Sequence, residues 1–242
     1  MNPRSSPNFD ARPEGRPVDM LVLHYTGMTS RDEALDRLCD PAAKVSAHYV
    51  IDEDGTVTAL VAESQRAWHA GIACWRGVED VNGASIGIEL VNPGHEFGYR
   101  PFPETQIAAC ETLGSDILSR WPIPARNVIG HSDVAVGRKT DPGELFDWAR
   151  LGAAGIGLWP KRRPVAGEVG LRLGPGDGGI AVRDLQGALA EYGYGIGLDG
   201  AYGERTQAVV KAFQRHFRPR RVDGLADPET SQLLFILLAQ LS

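Results

Sequence analysis

The sequence of 242 residues predicts a mixed α/β domain, with a central sheet flanked by helices, followed by a small all-α domain of three helices. Two observations predict the first domain: short apolar runs typical of buried strands occur together with longer segments of helical periodicity. A third observation predicts the second domain. After about residue 180 the chain is helical with glycine-rich turns, and it contains an imperfect internal repeat.

The strand predictions rest on short apolar runs and on one turn signal. The run that begins at Met20 is apolar until it ends at His24, as expected of a buried strand. Asp54-Gly55 is a dipeptide typical of a β-hairpin turn and separates two further runs. The strands predicted in this way cover residues 20–23, 47–51, 56–61, 85–91 and 127–130.

Two helices are predicted beside these strands. Ser30 and Glu33 have the Ser-x-x-Glu spacing of a capping box, which predicts a helix from this point to about Cys39. A longer amphipathic helix is predicted over residues 104–121, and proline at position 122 ends it. Its apolar side chains recur at helical spacing, at Ile107, Cys110, Leu113, Ile117 and Trp121.

Composition and charge narrow the function classes. The net charge of −6 argues against a nucleic-acid partner held by phosphate contacts. Apolar runs are too short to span a membrane, and the first 20 residues lack the apolar core of a signal peptide. We therefore expect the chain as written to be cytoplasmic, with periplasmic or cell-wall action requiring another export route. The three cysteines predict small buried residues rather than a disulfide framework, although one disulfide stays open.

The character of the chain changes between residues 160 and 180. Pro160 to Pro164 and Gly174 to Gly179 are rich in proline, glycine and charge, which is typical of linkers. We expect a catalytic domain over residues 1–160, a linker over 161–175 and a second domain over 176–242.

Two histidines stand at the ends of predicted strands. His24 and His131 each follow a buried run, where a side chain can point into a cleft, and Asp141 follows soon after. Two imidazoles and one carboxylate form a three-ligand zinc set with a fourth position open for water, whose pKa the metal lowers to ~7. This spacing is not specific by itself, since it differs from the His-Glu-x-x-His motif.

Five segments occur in an order that resembles a known enzyme family. They are Leu23-His-Tyr-Thr26, Val45-Ser-Ala-His-Tyr49, Arg66-Ala-Trp-His-Ala-Gly71, Ser85-Ile-Gly-Ile-Glu89, and Gly130-His-Ser-Asp133 continued by Lys139-Thr-Asp-Pro-Gly143. Over about residues 20–150 the chain resembles the amidase-2 family of N-acetylmuramoyl-L-alanine amidases, which includes AmpD-like and AmiD-like enzymes. That family shares its fold with peptidoglycan recognition proteins.

The resemblance implies that His24, His131 and Asp141 bind Zn²⁺, and it places Glu89 and Lys139 in the catalytic centre. Residue chemistry agrees with both roles. A carboxylate can take a proton from the attacking water and pass it to the leaving amine. A lysine beside the metal can stabilise the oxyanion that forms at the amide carbonyl.

The surroundings of these residues suggest a substrate groove. On the predicted strand, Ser85 and Gly87 share a face with Glu89, and we expect these small residues to leave room there for a substrate. Four residues are candidates for substrate contacts, with His69 carried over from its motif: Arg66, Trp68, His69 and Asn92. The other histidines are expected to have structural or surface positions: His48, His95 and His216.

The second domain has a resemblance of its own. Residues 175–240 resemble the peptidoglycan-binding-1 module on Leu185-Gln186, Asp199-Gly200, Tyr202-Gly203, Phe213-Gln214 and Asp223-Gly224, among other positions. The two Asp-Gly turns belong to the internal repeat, and glycine permits the positive φ of such turns. The basic run over residues 211–221 is expected to be a solvated helix face.

These observations predict a monomeric zinc amidase that acts on peptidoglycan or muropeptides. The expected reaction is hydrolysis of the amide bond between N-acetylmuramoyl, or its 1,6-anhydro form, and L-alanine, in cell-wall turnover or recycling. Two alternatives stay open. One is a non-catalytic peptidoglycan-recognition protein, which a complete ligand set argues against, and the other is a phage-type lysin with the same chemistry.

Overall fold

The fold comes from a computed structural model that describes residues 4–162, 164 and 170–241. The linker predicted over residues 161–175 lies partly outside the described residues, because positions 163 and 165–169 are not among them. Within the described part of the chain, no helix is long and apolar enough to cross a membrane. Cys39, Cys74 and Cys110 are free thiols.

A five-stranded sheet lies at the centre of the first domain, and a two-stranded sheet lies beside it. The strands are β1 (Phe9–Ala11), β2 (Met20–Tyr25), β3 (Tyr49–Ile51), β4 (Val57–Ala59), β5 (Gln65–Ala67), β6 (Ser85–Leu90) and β7 (Val128–Gly130). The central sheet has the order β4-β3-β6-β2-β7, in which only β4 is antiparallel to its neighbour. The predicted hairpin is the β3–β4 pair, and the mixed sheet confirms the predicted fold class.

Six α-helices belong to the first domain and three to the second among the residues that the structure describes. They are α1 (Arg31–Cys39), α2 (Val81–Ala84), α3 (Gly94–Phe97), α4 (Glu104–Arg120), α5 (His131–Val134), α6 (Trp148–Ala153), α7 (Ile180–Tyr192), α8 (Glu204–Phe217) and α9 (Pro228–Ala239). Both predicted helices are confirmed. The Ser30 side chain caps α1 by accepting from the Glu33 backbone N–H, as the spacing predicts.

Side chains of β2 alternate between two apolar clusters. Leu21 and Leu23 pack with Ile86 and Ile88 of β6 against the buried face of α4. Met20 and Val22 face the other way, into a second cluster. A strand that is buried on both faces has a continuous apolar sequence, which is why the run before His24 has no polar interruption. The candidate residues His24 and Glu89 lie on the sheet face opposite α4.

The same hydrogen-bonding arrangement occurs at two places in the second domain. Gln186 of α7 accepts from the Gly200 backbone N–H and donates to Asp199, so its amide closes the first Asp-Gly turn. Gln214 of α8 does the same at the second turn, where it accepts from Gly224 N–H. The repeat in the sequence therefore encodes two buried glutamines, each of which satisfies the polar groups of a turn.

The second apolar cluster runs continuously from the first domain into the second. Trp75, which has no exposed surface, packs with Val134 of the first domain and with Tyr192 and Tyr194 of the second. The α7–α9 unit is therefore docked on the sheet face opposite α4 through a shared core. Separate cores, as the linker prediction implies, would leave the large Trp75 side chain exposed.

Candidate active site

The parallel arrangement of β2, β6 and β7 brings the candidate residues to one edge of the sheet. His24 of β2 is in register with Glu89 of β6, and both lie near the carboxyl ends of their strands. His131 begins α5 directly after β7, the other neighbour of β2. Carboxyl ends of parallel strands meet at the same edge, where open α/β sheets place their binding sites.

Three side chains converge at this edge. The Nδ1 atoms of His24 and His131 lie 3.0 Å apart, and they lie 3.0 Å and 2.9 Å from Oδ2 of Asp141. All three side chains are buried, with ligand atoms within 4.8 Å of one another. Three lone-pair donors this close in a buried site are the arrangement of a metal centre.

Hydrogen bonds behind the imidazoles fix which nitrogen faces the centre. Nε2 of His131 lies 3.0 Å from the carbonyl oxygen of Ala70, which only accepts, so this nitrogen carries the proton. In the neutral ring Nδ1 then presents a lone pair to the centre. Orientation of a metal-binding histidine by a backbone carbonyl is the usual pattern at such sites.

A longer chain of hydrogen bonds fixes which nitrogen of His24 faces the centre. The Ser85 hydroxyl donates to the carbonyl oxygen of Val81 and therefore accepts from Nε2 of His69, at 3.1 Å. Nδ1 of His69 is left as an acceptor for Nε2 of His24, at 3.0 Å. Nδ1 of His24 consequently has a free lone pair toward His131 and Asp141, which completes the donor set.

The electrostatics of the three residues suit a cation. Burial, together with the neighbouring His131, lowers the pKa of His24 to about 4, which keeps the imidazole neutral at pH 7. Burial opposes ionisation of Asp141, yet the contacts with His131 and His24 lower its pKa below the ordinary range. Zinc bonds of about 2.0–2.2 Å hold tetrahedral ligand atoms about 3.3 Å apart, close to the separations observed. The residues present therefore fit a resident metal ion.

Glu89 lies next to this centre, in register with His24. Among the described residues, its Oε2 atom is buried without a hydrogen-bond partner. Burial, reinforced by the Asp141 carboxylate, raises the pKa of Glu89 well above its usual value, while Lys139 opposes this shift. A half-buried carboxylate with an unused acceptor at the cleft is suited to move a proton during a reaction.

A cleft of about 590 Å³ opens at the metal centre. Its lining includes His131, Asp141, Glu89 and the exposed side chain of Lys139. The walls combine aromatic and charged side chains from α1, α3 and two loops, namely Arg37, Trp68, His95, Glu96, Phe97 and Arg138. The cleft is large enough for a ligand of several linked groups.

Two of the four expected substrate contacts line the cleft, and two do not. His69 and Trp68 are part of the lining. Arg66 lies on the small sheet, where its guanidinium bonds to Asp10 and Asp80. Asn92 is fully buried and joins the Gly94 N–H to the Arg100 carbonyl, which shapes the loop after β6. The positions of Arg66 and Asn92 thus favour structural roles over substrate contact.

His95, for which the sequence predicted only a structural or surface position, lies in the cleft wall. Its ring stacks on Tyr99, Nδ1 lies 2.9 Å from the Tyr25 hydroxyl, and Nε2 lies 3.2 Å from Glu144. The available signal was its place a few residues after β6, near the carboxyl end that carries Glu89. His48 is buried and accepts from the Gly87 backbone N–H, in agreement with its expected structural role.

Comparison with known proteins assigns this arrangement to a family. Residues 14–144 match the N-acetylmuramoyl-L-alanine amidase family, and residues 178–234 match a peptidoglycan binding domain. AmiD of Escherichia coli (strain K12) is 38% identical over 233 residues, which cover 91% of this chain and 82% of that protein. The chain belongs to the N-acetylmuramoyl-L-alanine amidase family.

The amidase is also similar to solved structures over nearly its whole length. E. coli AmiD in complex with the substrate anhydro-N-acetylmuramic acid-L-Ala-D-gamma-Glu-L-Lys superposes with a TM-score of 0.81 at 36% identity, covering 95% of this chain and 92% of that one. AmpDh3 of Pseudomonas aeruginosa gives 0.76 at 32% identity, covering 94% of each chain. AmpD of Haemophilus influenzae is 33% identical over 60% of this chain and 86% of its own length.

Proposed function

We propose that the amidase uses zinc to hydrolyse the amide bond between the muramoyl group, in its ordinary or 1,6-anhydro form, and L-alanine. The observation that carries the proposal is the convergence of His24, His131 and Asp141 beside Glu89, whose Oε2 atom has no hydrogen-bond partner among the described residues, at a cleft that His131, Asp141 and Glu89 line. A receptor needs the cleft alone. A metal-dependent hydrolase needs metal donors and a proton acceptor together, and this chain has both.

The two imidazoles and the Asp141 carboxylate would hold the ion. A metal in this donor set supplies Lewis-acid chemistry, which polarises a carbonyl and makes water a stronger acid. Glu89 accepts a proton from the attacking water and delivers it to the nitrogen of the leaving L-alanine. Lys139 donates a hydrogen bond to the carbonyl oxygen as negative charge develops there.

The cleft walls support a muramyl peptide as the substrate. Trp68 and Phe97, which is 60% exposed, offer apolar surface for a sugar ring. Arg37, Arg138 and Lys139 supply positive charge for the carboxylates of a peptide stem. The solved complex of AmiD holds an anhydromuramyl peptide of this kind, and AmpDh3 has been solved with an anhydromuramic pentapeptide. We extend this substrate class to the present amidase.

We further propose that the α7–α9 unit binds the polymeric wall and that the protein acts as a monomer. The match of residues 178–234 to a peptidoglycan binding domain supports the first part. We keep the division into a catalytic domain over residues 1–160, a linker over 161–175 and a binding domain over 176–242 as part of this proposal. Comparison of turnover on intact sacculi and on soluble 1,6-anhydro fragments tests the preference between polymer and fragment.

The reaction is tested with purified muropeptides of known structure and the zinc-loaded protein. Liquid chromatography with mass spectrometry should detect the free peptide beginning with L-alanine and the peptide-free muramoyl product. Glu89→Gln should keep the metal but lose 10²- to 10⁴-fold in turnover, the usual contribution of a general base. Release of peptide by Glu89→Gln at the native rate would remove Glu89 from the mechanism, and cleavage between sugars instead would overturn the amidase proposal.

A further inference from the structure

A buried carboxylate of the first domain is held by two side chains of the second. Asp133, which is 1% exposed, lies in α5 two residues after His131. Its Oδ1 accepts from the Tyr194 hydroxyl at 2.7 Å, and its Oδ2 accepts from Nδ1 of His216 at 2.8 Å. Oδ2 also accepts from the Gly130 backbone N–H at 2.8 Å. Asp133 thus joins α7–α9 to the turn on which His131 stands.

The same turn holds the third member of the donor set. The backbone N–H of Ser132 donates to the carbonyl oxygen of Asp141 at 2.8 Å. A shift of the first turn of α5 would therefore displace His131 directly and Asp141 through its main chain. The sequence block that contains His131 includes Asp133, but its two partners lie more than 60 residues away in the sequence.

Helix α8 makes further contacts with the chain around the metal site, between residues 136 and 148. Arg205 donates to the carbonyl oxygen of Val136 at 3.1 Å. Arg215 lies 3.6 Å from Glu144, which in turn contacts His95 in the cleft wall. The His216 ring stacks on Trp148 of α6, with ring centroids 3.8 Å apart. One helix of the second domain therefore contacts the chain both before and after the positions of Lys139 and Asp141.

We infer that the α7–α9 unit is part of the metal site's supporting structure, with Asp133 as a positioning residue and Tyr194 and His216 as the donors that hold it. The inference rests on the proposed function for the metal and adds a second role to a unit otherwise assigned to wall binding. Loss of the Tyr194 hydroxyl leaves Oδ1 of the buried carboxylate without a partner, and loss of His216 leaves Oδ2 with the Gly130 N–H alone, so the turn moves to recover a donor. Supporting bonds behind metal ligands commonly contribute 10- to 100-fold to metal affinity.

The test uses Tyr194→Phe and His216→Phe, alone and combined, in the full chain. The first removes one oxygen atom, and the second keeps an aromatic ring against Trp148. Tyr202→Phe is the matched control, because Tyr202 is equally buried and donates to Gly224 inside the second domain. Zinc affinity is measured by competition with a chromophoric chelator, and amide hydrogen exchange over residues 130–141 is measured in the metal-free protein.

We expect the double variant to lose about 10- to 100-fold in zinc affinity and to exchange the 130–141 amides about tenfold faster. Excess zinc should restore its turnover. Tyr202→Phe should change the melting temperature without either effect. Zinc affinity and exchange rates equal to those of Tyr202→Phe would overturn the inference. If His216→Phe fails to fold, Tyr194→Phe decides alone. Hydrogen exchange is measured on the metal-free protein, so it tests the inference whether or not the native protein binds zinc. Failure of the native protein to bind zinc would overturn the proposed function instead.

Discussion

Gly87 of β6 and the imidazole of His69 lie in direct contact: a Cβ atom at position 87 would stand 2.6 Å from Cγ of His69. The sequence led us to expect that Ser85 and Gly87 leave space beside Glu89 for a substrate. The structure fills that space with His69 instead, so this part of the prediction was wrong. Glycine is needed here so that His69 can reach both the Ser85 hydroxyl and Nε2 of His24.

Gly87→Ala should therefore impair the metal site without touching a ligand. The methyl group would displace His69 and break its bond to His24, and we expect a 10- to 100-fold loss of zinc affinity. Overpacking should also lower the free energy of unfolding by about 1–3 kcal/mol. Gly197→Ala is the control, since a Cβ there meets no atom within 4 Å. Chelator competition on both variants checks the prediction, and equal zinc affinities would contradict it.

Removal of the metal should lower both activity and stability. A ligand that binds only the folded state at 100 times its Kd stabilises it by about 2.7 kcal/mol. Zinc added to the chelated protein should therefore raise the melting temperature and restore turnover. Asp141→Ala should show neither response, whereas Asp116→Ala, an exposed acid on α4, should respond like the native protein. Thermal unfolding with and without zinc makes the comparison, and a zinc-induced rise in Asp141→Ala would remove Asp141 from the donor set.

Lys139→Met should slow turnover while the metal stays bound. The lysine lines the cleft with an exposed side chain, so its replacement leaves the buried donor set in place. Loss of one donor to a developing oxyanion usually costs about 10²- to 10³-fold in kcat. Lys161→Met, at an exposed position outside the cleft lining, should keep native kcat. Steady-state rates and metal content of both variants decide the matter; native kcat in Lys139→Met would exclude the proposed role.

Strand ends made part of the site predictable from the sequence. His24 and His131 follow buried runs, and parallel strands bring such ends together, so their convergence follows from local patterns and topology. The hydrogen bonds that orient these two histidines cannot be predicted in the same way. His69 and Ser85 lie in different elements, and their bond depends on how the loop before residue 70 folds over β6. No periodicity in the sequence encodes that path.

Contacts between the two domains were also hidden from sequence reasoning. The repeat predicts that α7–α9 can form a core by itself, so nothing in it requires a neighbour. Trp75 lies in a loop without periodicity, and its burial against Tyr194 emerges only in three dimensions. His216 was expected to be a surface or core histidine. His216 is a core residue, but its pairing with Asp133 could not be predicted from two residues far apart in the sequence.

Glu63 should make the stability of the amidase depend on pH in the acid range. Burial raises the pKa of its carboxyl, but hydrogen bonds from Arg120, Trp121 and Tyr49 outweigh that effect and lower the pKa to about 2. A group with a depressed folded-state pKa stabilises the protein fully above its unfolded pKa of ~4.3, and the contribution is lost as pH falls towards 2. We expect about 1–2 kcal/mol after allowing for solvent screening.

Glu63→Gln should accordingly be less stable than the native protein at pH 6, and the gap should close as the pH falls below 4. The amide keeps one acceptor for Trp121 or Tyr49 but loses the charge that pairs with Arg120. Glu79→Gln removes a carboxylate at an exposed position and controls for the change in net charge. Urea unfolding at several pH values gives the difference directly. A gap that stays constant from pH 6 to pH 3 would mean that shape, and not ionisation, accounts for the role of Glu63, because only the ionised form is favoured by Arg120.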